Sequence, residues 1–193
     1  AFDTTCGTDG MCNMTDNQVC DYVLPGQLPI CHADAKSDVF VARLDTSLSG
    51  AASLLYATYV GGTGHESGLS IAVDGSGRAT VTGKTASPDF PLADPVQAAI
   101  GGNMDAFAFR LNAAGSGLDY ATFVGGGGDD VGEGVAVHEG GSAILAGWTG
   151  SVAFPTVNPL QPRGGGWEAF VARLDGGGEP APSYKLFLPA VVR

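Results

Sequence analysis

The sequence predicts an all-β protein built around two four-stranded antiparallel sheets, and three observations carry that expectation. Glycine supplies 31 of 193 residues, more than twice the usual share, while 44 % of the chain is hydrophobic, so the chain is turn-rich yet has apolar surface to bury. The sequence repeats itself at an offset of 64 residues, with 19 identities when 56–97 is laid on 120–161, a span of 42 positions. No stretch shows the 3.6-residue apolar period of an amphipathic helix.

Each repeated element reads as a strand. The first occurs three times: Asp38-Val-Phe-Val-Ala-Arg-Leu44, Asp105-Ala-Phe-Ala-Phe-Arg-Leu111 and Glu168-Ala-Phe-Val-Ala-Arg-Leu174. Alternation puts Phe40, Ala42 and Leu44 on one face and Val39, Val41 and Arg43 on the other, so both faces are largely apolar and need cover. The second, Leu54 to Val60 and again Leu118 to Val124, is aromatic and β-branched and ends at a Gly pair, as a strand entering a turn does. The third and fourth form a hairpin: Leu69 to Val73 and Ala79 to Thr82 flank Asp74-Gly-Ser-Gly77, and the second copy has Val135 to Val137 and Ala143 to Ala146 around His138-Glu-Gly-Gly141.

Four short strands per repeat is the pattern of a propeller blade or a similar stacked sheet. The succession DAFxxRL, YATYVGGxG, IAVDGSGRATVTG and a DFP loop, over about 38–175, resembles the bacterial β-propeller repeat family named for its seven-bladed members. The resemblance implies blade-like β-meanders and a secreted or cell-surface address, and no particular chemistry. Copy number is the departure: propellers close with about four to eight blades, and this chain carries two repeats and a partial third.

The chain divides accordingly into a Cys-rich extension (1–37), repeat 1 (38–104), repeat 2 (105–167), a partial third repeat (168–175), a Gly/Pro linker (176–183) and an apolar tail strand (184–193). All four cysteines, Cys6, Cys12, Cys20 and Cys31, fall in the extension at spacings that suit zinc poorly, so two disulfides are expected, with three connectivities open. Disulfides place the protein in an oxidising, extracellular or cell-surface setting, and the start at Ala1 looks like a chain from which a signal peptide has been removed. Asn13-Met-Thr is a glycosylation sequon. The net charge of −11, with scattered basic residues, argues against nucleic acid as a partner, and no apolar run is long enough to span a membrane.

An odd strand count leaves one copy of the triplicated strand without a sheet, and the tethered tail reads as a strand donor for a neighbour's sheet edge or as a strand that pairs within its own chain and completes the second sheet. Self-assembly, head to tail, is therefore the expected function: a filament, sheath or surface-layer subunit whose contacts involve Val39, Phe40, Val41, Phe170, Val171, Leu186, Phe187, Leu188, Val191 and Val192. The alternative is a secreted adhesion module that binds glycans or proteins, with Trp148 and Trp167 as a sugar platform. No nucleophile, base or metal constellation points to an enzyme. His65 and His138 stand at non-equivalent repeat positions, and Gly64-His-Glu-Ser-Gly68 reads as a surface turn. Asp129, Asp130 and Glu133 form the one acidic cluster, a candidate Ca²⁺ site or a solvated loop, and no other cofactor is expected.

Overall fold

The computed structural model describes residues 36–138, 141–157, 159–161 and 164–175, together with the backbone of three short strands at 18–20, 31–33 and 185–187. The chain forms two compact units, 1–36 and 37–193. In the first, β1 (Gln18–Cys20) and β2 (Cys31–Ala33) pair antiparallel with Cys20 opposite Cys31. Cys6, Cys12 and the Asn13 sequon lie outside the described residues, as do the linker and Leu188, Val191 and Val192.

The second unit is all antiparallel β, with one short 3-10 turn at Gly50–Ser53 and no α-helix among the described residues. β3 (Val39–Leu44) and β4 (Leu54–Val60) form a two-stranded sheet. β5 (Glu66–Val73), β6 (Ala79–Thr85), β7 (Asp105–Leu111) and β8 (Leu118–Val124) form a four-stranded meander. A second meander consists of β9 (Asp130–Val137), β10 (Ala143–Thr149), β11 (Glu168–Leu174) and β12 (Lys185–Phe187).

Each four-stranded sheet thus joins the hairpin of one repeat to the leading strand of the next. The incomplete sheet falls at the amino-terminal side and holds two strands, not one. Of the two placements open to the tail, the structure has the one within the chain: β12 adds to the edge of β11, with Val171 opposite Phe187 and Ala172 opposite Leu186. It takes beside β11 the place that β8 holds beside β7, and so satisfies an edge that would otherwise expose unpaired backbone groups.

Turn chemistry fixes the hairpins. Asp74 Oδ1 accepts the backbone N–H of Ser76 at 2.9 Å and of Arg78 at 3.1 Å, while Gly77 takes φ 78°. Gly141 stands 64 residues on with φ 85°, again a conformation that disfavours any side chain.

Two cores separate the three sheets. Val39, Val41 and Val60 from the two-stranded sheet pack against Ala79, Val81, Phe107, Phe109, Leu111, Ala121 and Phe123 of the middle sheet. The opposite face of that sheet, Ala106, Ala108, Tyr120 and Val124, packs against Ala143, Leu145, Phe170, Ala172 and Leu174 of the last. Small residues behind and large residues in front let the layers interdigitate. The connecting loops supply a matched aromatic to each core: Phe90 stacks on Phe107 with ring centroids 4.9 Å apart, and Phe154 lies 4.8 Å from Phe170. Those central rings also explain two glycines, since a Cβ at Gly83 or Gly147 would run into the neighbouring strand's carbonyl and the ring of Phe107 or Phe170.

Candidate assembly surface

The triplicated strand shows what the stack leaves uncovered. Phe107 and Phe170 are 0 % and 1 % exposed, but Phe40, at the same repeat position, is 72 % exposed. Its cross-strand partner Tyr59 is 78 % exposed, while Phe123, the counterpart of Tyr59, is fully buried. Leu44 and Leu55 extend this open face of β3 and β4. On the middle and last sheets the same face is covered by the sheet that precedes it. Beside the open face, a groove of about 680 Å³ runs between β3 and β5, lined by Val39, Phe40, Val41, Leu69, Ile71 and Val81. Among the described residues β3 has a ladder only with β4, so its outer edge faces this groove.

At the opposite end of the stack, the outer face of β10 and β11 presents Ile144, Ala146, Trp148, Ala169, Val171 and Arg173. Five of these positions match Thr80, Thr82, Ala106, Ala108 and Arg110 of the middle sheet, all buried, and Trp148 matches the half-buried Lys84. Trp148 and Trp167 meet edge to face with centroids 4.6 Å apart, and the Trp148 Nε1–H donates to Glu133 Oε1 at 2.9 Å. Of the residues expected to meet another copy, Val39, Val41 and Phe170 are consumed by the chain's own cores; Phe40 and Val171 remain on open faces.

Arginines bridge successive sheets in one direction. Arg43 Nη1 donates to the Ala113 carbonyl, 3.3 Å away in the middle sheet's β7–β8 loop. Arg110 is held by Asp119 through Nε at 3.1 Å, sits 5.0 Å from the Tyr120 ring centroid, and donates through Nη1 to the Gly141 carbonyl of the last sheet at 2.9 Å. Arg173, the third of the series, pairs through Nε with Asp175 at 2.6 Å on the open end face.

Buried carboxylates pin the sheet corners. Glu66, 2 % exposed, accepts hydroxyl hydrogen bonds from Thr85 at 2.6 Å and Ser87 at 2.5 Å on Oε1, and the Gly62 N–H at 3.0 Å on Oε2. Sixty-four residues later Asp130 Oδ2 accepts from Ser151 Oγ at 2.6 Å and from the Gly126 N–H at 2.8 Å. Asp105 accepts from Gln97 and the Gly101 and Gly102 amides; burial nonetheless pushes its carboxyl above the ordinary range, helped by the charge of Asp130. Sequence reasoning read the Glu66 segment as surface turn and missed this network. Its signal was present, because Thr85 and Ser87 recur as Thr149 and Ser151.

The candidate Ca²⁺ cluster of Asp129, Asp130 and Glu133 is not assembled among the described residues. Asp130 is fully buried in its corner, and Glu133, three residues along the same strand, is exposed and bound to Trp148. Asp129 sits in the preceding loop, and among the described residues no three His, Cys, Asp or Glu side chains gather to hold a metal. The solvated-loop reading also fails for Asp130. Among the described residues no helix is long and apolar enough to cross a membrane. Searches of protein-family models and of curated proteins give no match to this chain.

Proposed function

We propose that the protein is an extracellular structural subunit that assembles with copies of itself by stacking sheets. The observation that carries this reading is the Phe40–Tyr59 face, apolar and open where both equivalent faces in the same chain are buried. Transfer of such surface from water is favourable by about 25 cal/mol per Å², the driving force that already holds the three sheets together. The two four-stranded meanders correspond in strand number and order to propeller blades, and the repeat resemblance supports a secreted or surface-bound address. A disulfide between Cys20 and Cys31, which face each other in the β1–β2 ladder, fits the same setting. Light scattering at rising concentration tests the reading: mass should grow beyond the monomer, and Phe40→Asp should abolish the growth. A mass that stays monomeric at millimolar concentration sinks it.

A glycan-binding module is the second reading, favoured by the exposed Trp167 ring against Trp148 beside a cavity of about 640 Å³ lined by Asp129, Gly150 and Val152. Retention on a glycan array, lost in Trp167→Ala, distinguishes it from assembly.

A further inference from the structure

Stacking by itself leaves open which face meets which. We infer that the mate of the open β3–β4 face is the outer face of β10–β11 in a second copy, so that subunits join front to back; the inference rests on the self-assembly reading above. Three observations lead to it.

The first is that the chain contains this interface twice already. Val39 and Val41 share one core with Phe107 and Phe109, and Ala106 and Ala108 share the other with Phe170 and Ala172. In both cases the residues just before and after the repeat's Phe cover the Phe-bearing face of the next sheet. Ala169 and Val171 are the third set of covering residues, and Phe40 is the first Phe. The unmatched set and the unmatched Phe stand at opposite ends of one stack, so a second copy supplies to each what the chain lacks.

The second is chemical match. The β10–β11 face offers Ile144, Ala146, Ala169 and Val171, small or branched apolar groups of the kind that cover Phe107 and Phe170 inside the chain. Two Phe40–Tyr59 faces placed together would instead oppose rings to rings without the small residues that, together with one tyrosine each (Tyr56 or Tyr120), cover the Phe-bearing faces inside the chain.

The third is polar and sets direction. Arg43 and Arg110 each reach forward from the covering face into a loop of the sheet they cover. Arg110 does so with its Nε held by a carboxylate of its own sheet, as Arg173 is held by Asp175. In the Arg43 case the acceptor is the carbonyl two residues beyond the covered strand; in the next copy that position is Thr46, beside Asp45. Arg173 would therefore donate to the Thr46 carbonyl across the new interface, next to a carboxylate of favourable charge. A front-to-back contact is heterologous and leaves both ends of the growing stack open.

Complementation tests this. Phe40→Asp blocks only the front and Ile144→Asp only the back, and both positions are exposed, so each variant should keep the wild-type melting temperature. Each alone should be monomeric by light scattering, and an equimolar mixture should give a heterodimer of twice the monomer mass that grows no further. Adding Arg173→Gln to the Phe40→Asp variant should weaken that heterodimer by at least about tenfold, the loss of one hydrogen bond from a charged donor. If wild-type chain assembles but Ile144→Asp alone still dimerises or polymerises, or the mixture stays monomeric, front-to-back docking is wrong while self-assembly stands. If wild-type chain never associates, both fall.

Discussion

Phe40 and Phe107 hold the same position in the repeated strand, and the chain buries one completely while leaving the other 72 % exposed. The difference arises from what precedes each strand: β7 has β3 and β4 stacked on it, whereas among the described residues no sheet covers β3. Truncation should therefore separate the two by energy. Phe107→Ala removes a ring packed on Phe90 and Phe109 and should cost about 3–5 kcal/mol in urea unfolding of the monomer. Phe40→Ala should stay within about 0.5 kcal/mol. Equal costs at the two sites would mean that the face is covered in solution.

Glu66 tests the corners. Its Oε1 takes two hydroxyl donors and its Oε2 an amide, so all three neighbours donate to the carboxylate. In Glu66→Gln an NH2 at the Oε2 position meets the Gly62 N–H, and at the Oε1 position it makes the Thr85 and Ser87 hydroxyls, which already accept backbone amides, give up the acceptor they donate to. A loss of about 1–3 kcal/mol is expected from the unsatisfied buried groups, measured by chemical denaturation. Ser87→Ala should cost less, because Thr85 still donates to the carboxylate. A neutral Glu66→Gln would show that water reaches the corner.

The strands were legible because their signals are local. Alternation in the Asp38, Asp105 and Glu168 elements, the Gly pairs and the Asp74 turn place β3 to β11 nearly where they occur. The grouping of strands into sheets was not legible, since a repeat boundary drawn at Asp105 says nothing about whether β6 pairs onward to β7. The tail stayed ambiguous for a related reason: an apolar strand fits any open edge, and the sequence alone does not choose between a neighbour's edge and β11 in the same chain. The candidate surface was half visible. Phe40 was marked as apolar and unpaired, but Val39 and Val41 on the opposite face were marked with it, because facing direction depends on which sheet stacks where. Acidity alone misassigned Asp130, whose buried Ser151 partner lies 21 residues away.

Cys20 and Cys31 sit directly opposite one another in β1 and β2. Cross-strand neighbours have Cα atoms about 4.5–5.5 Å apart, inside the range a disulfide spans. Peptide mapping of non-reduced protein is expected to recover Cys20 linked to Cys31, which leaves Cys6 for Cys12. Recovery of Cys6 linked to Cys31 would disprove the pairing.

Asp105 and Asp74 should impose opposite pH dependences. Burial raises the Asp105 carboxyl above its unfolded value of 3.8, against its three hydrogen bonds, and the charge of Asp130 adds to the rise. The native state then holds that proton more tightly than the unfolded chain, so the stability it contributes is complete below pH 3.8 and is lost as pH rises through the folded value. At Asp74 burial also pushes upward, but hydrogen bonds from the Arg78 backbone and side chain and from Ser76, with the Arg78 charge, bring the carboxyl below 3.8. Its contribution is present above pH 3.8 and disappears as pH falls through the folded value. Unfolding free energies of wild type, Asp105→Asn and Asp74→Asn, measured at intervals through the acid range, separate the two. Subtracting each variant's profile from the wild type should give a difference that falls with rising pH for Asp105 and rises with it for Asp74. The same sign at both sites would show that the Asp105 carboxyl is solvated, and that the glycine corner around it opens in solution.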